Sequence, residues 1–183
     1  MSFPAFFDTN VLYGAILNDL MLELAERGLF RPLWSEDVQF ELGKNLVKNG
    51  ESPELVDKRI GTMKSFFSDA MVSGYEDLIP QMTNDQKDRH VLAAAVRGGA
   101  EVLVTFNLVD FPATSVERFE VEVVHPDEFL LDQLDLYPSA TMQAVVDLID
   151  SYDSPAMTPE DFFLALMRAG VPQFGMKGRS LLY

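Results

Sequence analysis

The chain has no cysteine. Disulfides, thiolate zinc sites and cysteine nucleophiles are therefore excluded together, and the composition fits a reducing compartment. No apolar run approaches the roughly 18 residues that a bilayer span requires. The opening residues, MSFPAFFDTN, lack a basic segment and meet an acid at Asp8, too early for a secretory leader. The expectation is a cytoplasmic protein without membrane association. Histidine is scarce: His90 and His125 stand too far apart for zinc-ligand spacing, and each reads as structural. No GxSxG, Walker or GxGxxG pattern occurs. Bases are few as well, 14 Lys and Arg against 29 Asp and Glu, for a net charge of −15. That balance argues against a broad nucleic-acid-binding face, because phosphate contacts need Lys and Arg.

What is present suffices for a core. Hydrophobic residues make up 48% of 183 positions, suiting one domain, or one domain with a small addition. The charge is uneven. Residues 125–183 carry nine acids and three bases, whereas in 42–68 Lys44, Lys48, Lys58, Arg59 and Lys64 outnumber Glu51, Glu54 and Asp57. Those lysines read either as a solvated helix face or as a local RNA contact, with Lys44 and Lys48 the residues to test.

Residues 3–7 read as a short apolar strand. From Val11 the apolar positions Leu12, Ile16, Leu20 and Leu24 recur at helical spacing, with Gly28 as a stop. Further helices are expected from Glu36 to about Lys48 behind the N-cap Ser35, and from Pro53 to about Phe67. Residues near 71 suggest a short strand. Thr83 or Asp85 caps a helix that ends at Gly98–Gly99. The run VLV within 101–106 suits a strand covered on both faces, and another strand is expected at 121–124, with a helix after Pro126. Strands alternating with helices imply a parallel sheet in an α/β fold. Beyond Pro138 no strand is expected. SATMQAVVDLIDSY and TPEDFFLALMRAG read as helices, the second with Thr158 as N-cap and Pro159 at its first position. The expected organisation is one domain over 1–137 and a small all-helical appendage over 138–183.

In open parallel sheets ligands bind beyond the carboxyl ends of the strands. Asp8 follows the first strand, and Asn107 and Asp110 follow VLVTF. Asp88 heads the buried face of the helix leading into that strand, and Glu41 sits on the shoulder of the stripe Val38, Leu42, Leu46. Four acids thus converge on one rim. Clustered carboxylates raise each other's pKa, and a hard cation such as Mg²⁺ or Mn²⁺, which prefers oxygen ligands, relieves them. Such an ion activates water and stabilises charge on a phosphodiester, so the chemistry suited to the constellation is metal-assisted phosphodiester hydrolysis. Each acid also has a plainer reading: Asp8 as a helix cap, Asp88 as a partner of a helix dipole, Glu41 as a partner of Lys44, Asp110 as a turn residue.

DTNVL, an acid in the second helix, DRHVLAAAV and VTFNLVDFP together resemble the PIN-domain family, and within it the VapC-type toxins, over roughly residues 3–130. The resemblance implies a Rossmann-like parallel sheet flanked by helices and an endoribonuclease site dependent on Mg²⁺ or Mn²⁺. It places catalytic acids at Asp8, Glu41, Asp88 and Asp110, with Asp8, Asp88 and Asp110 on the metal and Asn10, Thr105 and Asn107 in support. Many relatives have an aspartate where Asn107 stands, which leaves open whether one metal or two are held. The resemblance further implies RNA as substrate, a cognate antitoxin partner and a homodimer. Two other readings compete. Phosphatases with an aspartate after the first strand need a second acid two residues on, where this chain has Asn10, and phosphotransfer receivers need a late lysine that is missing. A PIN-like interaction module without catalysis is kept open by Asn107 and by the net charge, and metal binding separates it from the nuclease.

Overall fold

The segment Pro4–Phe7 (β1) buries Ala5, Phe6 and Phe7 almost completely, which is why its sequence shows no polar alternation. It is the central strand of a computed structural model that describes residues 2–183. The other strands are Arg31–Ser35 (β2), Met71–Val72 (β3), Val102–Val104 (β4) and Glu122–Val124 (β5). Their order is β3-β2-β1-β4-β5, and every neighbouring pair is parallel. In register, Phe6 pairs with Leu33 on one side and Leu103 on the other, and Leu103 pairs with Val123.

The sequence pattern assigns no strand to RPLWS. Its second residue is proline, which cannot donate to a ladder. The structure tolerates Pro32 because β3 is short and pairs only with Trp34 and Ser35, so no strand lies beside Pro32 on that side.

The expected helix from Val11 is two. Thr9–Leu12 (α1) is one turn, and Ala15–Glu26 (α2) restarts behind the extended Gly14. Glu36–Lys48 (α3) begins where Ser35 predicts, with Ser35 Oγ accepting the Val38 N–H at 3.2 Å. Pro53–Phe66 (α4) follows. Arg89–Arg97 (α5) starts later than expected, because Gln86–Asp88 forms a 3₁₀ turn capped by Asp85, which accepts from the Lys87 N–H. Its residues Val91–Ala95 are fully buried against the sheet. Ala113–Val116 (α6) is a single turn, and Pro126–Leu136 (α7) follows β5.

Beyond Pro138 there is no strand. Pro138–Ser151 (α8) and Pro159–Arg168 (α9) match the expected helices, and Thr158 with Asp161 makes a reciprocal capping box. Pro172–Leu182 (α10) completes the chain. These helices pack onto the rest of the molecule. Tyr152 donates to Asp19 of α2 at 2.6 Å, and Asp127 of α7 accepts the Gln173 and Phe174 N–H groups at the start of α10, at 3.0 and 2.8 Å. Phe129 of α7 closes an aromatic cluster with Phe3, Phe7 and Phe30. Among the described residues no helix is long and apolar enough to cross a membrane.

Candidate active site

The strand order changes direction between β1 and β4. In such sheets ligands bind at that switch point, beyond the carboxyl ends of the two strands. β1 delivers Asp8 there and β4 delivers Thr105, and both side chains are buried. Asp8 Oδ1 accepts from the Thr9 N–H at 2.7 Å. Its Oδ2 accepts from the Thr105 hydroxyl at 2.8 Å and from Asn10 Nδ2 at 3.2 Å. The plain reading of Asp8 as a cap of α1 and the reading of it as a site residue are therefore compatible, since one oxygen serves each. Asn10 Oδ1 also accepts the Phe106 N–H at 3.2 Å, so the ends of β1 and β4 are stitched together by side chains.

Asp85, Asp88 and Asp110 form the second half of the site. One carboxylate oxygen from each lies within 4.8 Å of the other two. The Asp85 N–H donates to the Asp110 carbonyl, which fixes the loop after β4 against the turn before α5. Asp88 Oδ2 is buried and has no hydrogen-bond partner. A buried carboxylate oxygen left alone is costly, and this one faces a cluster of its own sign. Burial, then the charge of Asp8, then the hydrogen bond and charge of Asp110 push the Asp88 carboxyl up to about 7. Lys87 offsets part of this from the solvent side, with Nζ 3.5 Å from Asp110 Oδ2. Burial also holds Asp8 above its ordinary value, against the hydrogen bonds of Thr105 and Thr9.

Glu41 takes a different position. Its carboxylate accepts from the Thr9 hydroxyl at 3.1 Å and lies 3.2 Å from His90 Nε2. The bond to His90 holds Glu41 below its ordinary value despite partial burial. Burial works against a charged His90. The bond and charge of Glu41, with the charges of Asp37 and Asp8, outweigh it and raise the imidazole. Glu41 is thus an ionised, aimed carboxylate beside a pair of carboxyls that resist ionisation.

The structure brings Asp88 within electrostatic reach of both Asp8 and Asp110, and sets Glu41 beside Asp8 through Thr9 and His90. Asn107 is exposed, and its N–H donates to Thr105 Oγ1 at 3.1 Å. Lys44 and Lys48 are exposed one turn apart on α3, outside the acid cluster. Sequence reasoning read Asp85 only as a possible helix cap and His90 as structural. The signal for Asp85 was its spacing. Three residues per turn in a 3₁₀ segment bring i and i+3 to one side, which aligns Asp85 with Asp88.

The donor set is all oxygen, it includes the unpartnered buried Asp88 Oδ2, and the Asp88 and Asp8 carboxyls are held above their ordinary values. Such a set fits a hard divalent cation and does not fit a soft or nitrogen-seeking one.

Comparison with known proteins agrees with the geometry. Residues 4–108 match the PIN domain profile, and residues 126–175 match the profile described as the VapC50 C-terminal domain. Asp8, Glu41, Asp88 and Asn107 fall inside the first span, and Asp110 lies two residues past it. Over 112 residues the chain is 50% identical to a protein named "Putative ribonuclease VapC50" from Mycobacterium tuberculosis. The match takes in 61% of this chain and 66% of that relative, just under two thirds of the relative's length. No solved structure matches the chain.

Proposed function

The chain belongs to the PIN-domain family, and from that premise we propose that it is a divalent-metal-dependent endoribonuclease, the toxin of a type II toxin–antitoxin pair. The observation that supports this best is the buried Asp88 Oδ2, which has no hydrogen-bond partner, on a carboxyl raised to about 7 beside Asp8, Asp85 and Asp110. A cluster that resists its own charge is made for a cation.

In this reading Asp8, Asp88 and Asp110 hold Mg²⁺ or Mn²⁺, with Asp85 at the edge of the set. The bound ion supplies charge stabilisation on the phosphodiester and lowers the cost of ionising the attacking water. The protein's own groups do the rest. Thr9, Asn10 and Thr105 fix the direction of Asp8. Glu41, ionised and aimed by Thr9 and His90, takes the proton of the water that attacks phosphorus, and the leaving oxygen is protonated from solvent. His90 acts through Glu41 as a positioning residue. Lys44 and Lys48 meet RNA phosphates beside the acid mouth. Asn107 adds a carbonyl oxygen and no charge, which favours one held metal over two.

The same reading includes a small antitoxin that blocks the acidic mouth with a basic side chain, and a homodimer. An arginine suits the first role, since its planar fork pairs with carboxylates. Exposed Phe40 on α3 and Leu55 on α4 offer apolar contact to a partner. Residues 1–137 form the nuclease unit and 138–183 the helical appendage packed on it.

The test is a thermal melt with and without Mn²⁺ on wild type and Asp8→Asn, followed by RNA cleavage. A ligand of the folded state alone raises its stability by mass action. Stabilisation of wild type and not of the variant supports the reading. No response at millimolar Mn²⁺ overturns it and favours the interaction module.

A further inference from the structure

The turn between α9 and α10 reaches the end of β4 at the ring of Phe106. Phe106 lies between Thr105 and Asn107, immediately after β4. Its ring meets His125, the residue that caps α7, with centroids 5.1 Å apart and planes at 84°. The same ring also meets Gly170, in the turn between α9 and α10. A Cβ built on Gly170 would stand 2.8 Å from Phe106 Cε1 and 3.2 Å from Cζ. No side chain fits there without moving the ring.

Both contacts are themselves anchored. Gly170 has φ +101°, its N–H donates to the Met167 carbonyl, and the Val171 N–H donates to the Leu166 carbonyl. These are the paired bonds of a glycine-terminated helix end. The His125 ring nitrogen accepts the Asp127 N–H, and the Asp127 carboxylate in turn seats the start of α10. From the ring the path to the acids is short. The Phe106 N–H donates to Asn10 Oδ1, Asn10 Nδ2 donates to Asp8 Oδ2, and the preceding Thr105 hydroxyl donates to the same oxygen.

We propose that Phe106, in contact with both Gly170 and His125, is a positioning residue through which the C-terminal helices hold Asp8 and the end of β4 in their ligand-binding arrangement. The helical appendage is then a brace of the candidate active site. Supporting groups that orient a ligand carboxylate typically change metal affinity roughly 10- to 100-fold when disturbed. The proposal rests on the metal-dependent reading for its functional consequence and on the geometry alone for the link itself.

The experiment compares Gly170→Ala with Gly28→Ala. Gly28 ends α2 in the same kind of turn, at φ +77°, and a Cβ there meets nothing within 4 Å. Both variants carry the backbone strain, and only Gly170→Ala strikes a ring. Two quantities are read: amide exchange of Phe106 relative to Leu103 in β4, and the Mn²⁺ concentration that half-saturates the thermal shift. Gly170→Ala is expected to speed Phe106 exchange at least about tenfold while Leu103 is unchanged, and to weaken Mn²⁺ binding roughly 10- to 100-fold. Gly28→Ala is expected to do neither.

Phe106→Leu probes the same link with the glycine turn intact, should Gly170→Ala not fold, and should release its own amide. In the double variant the second substitution adds little, because the ring atoms that the new methyl would strike are gone. The proposal is overturned if Gly170→Ala leaves Phe106 exchange unchanged, if Gly28→Ala reproduces its effects, or if Phe106→Leu leaves its amide protected. Selective release of the amide in a protein whose wild type ignores Mn²⁺ would support the brace and overturn the metal reading.

Discussion

Replacing Asp88 with asparagine should stabilise the metal-free protein, the opposite of what most substitutions near a core do. The carboxyl is displaced from 3.8 to about 7, first by burial and then by the charges of Asp8 and Asp110. Taken at face value that displacement corresponds to about 4 kcal/mol. Asp88 is partly solvent-facing, and screening reduces the expected gain to about 1–2 kcal/mol. For a chain of this size the melting temperature rises by about 3–6 °C. The sign depends on pH. A carboxyl raised in the folded state contributes stability that is full below about pH 3.8 and is lost as pH rises through about 7. The advantage of Asp88→Asn should therefore be absent near pH 3.8, open above it and be complete by pH 8. Mn²⁺ should reverse the ranking, since it stabilises only the protein with the intact acid set. The assay is a melt of both proteins at pH 5 and pH 8, in chelator and in Mn²⁺. A lower melting temperature for Asp88→Asn at pH 8 in chelator would refute the account of strained acids. An undiminished Mn²⁺ response in the variant would remove Asp88 from the ligand set.

Other perturbations separate the remaining roles. Asp8→Asn should abolish cleavage, yet melt below Asp88→Asn in chelator at pH 8. It exchanges an acceptor of two donors for a donor, at about 1–3 kcal/mol per group left unsatisfied; equal melting temperatures would contradict the hydrogen bonds assigned to Asp8. Glu41→Gln should lower the His90 pKa followed by NMR titration, because the bond and charge of Glu41 are what raise it against burial, and an unchanged titration would dissolve that pair. Exchanging Lys44 and Lys48 for glutamine should weaken RNA binding and flatten the salt slope by about 0.7 per lysine. An unchanged slope returns both to a solvated face. Tyr152→Phe should cost about 1 kcal/mol by removing the bond to Asp19, with cleavage intact; a loss of cleavage at full stability would link α8 to the site.

The site was legible where a residue's place follows from its own strand or helix. Asp8 could be placed because β1 is an unbroken apolar run ending on an acid, and Ser35 and Thr158 because their hydroxyls start helices in a recognised pattern. What depends on a neighbour's geometry was not legible. RPLWS hides as a strand because proline is permitted only where β3 falls short of it. The break at Tyr13–Gly14 interrupts a helical repeat that continues in register on both sides. His90 looks like an ordinary helix residue until the fold sets Glu41, 49 positions earlier, 3.2 Å from its ring.

The net charge of −15, which first argued against a nucleic-acid enzyme, becomes consistent with one when it is resolved in space. The acids that matter do not face an approaching phosphate as a free negative surface. Asp8 is buried and Asp88 half-sheltered, and both resist ionisation for as long as no cation is there. In the proposed reading, a divalent ion in the cluster would offset its charge where a phosphodiester would approach, while the exposed Lys44 and Lys48 lie outside the cluster. Residues 125–183, with nine acids and three bases, add negative charge, and their repulsion would disfavour RNA on that side of the molecule. In the proposed reading, net charge describes where the nucleic acid would not lie, and the local pattern of strained acids and exposed lysines describes where it would.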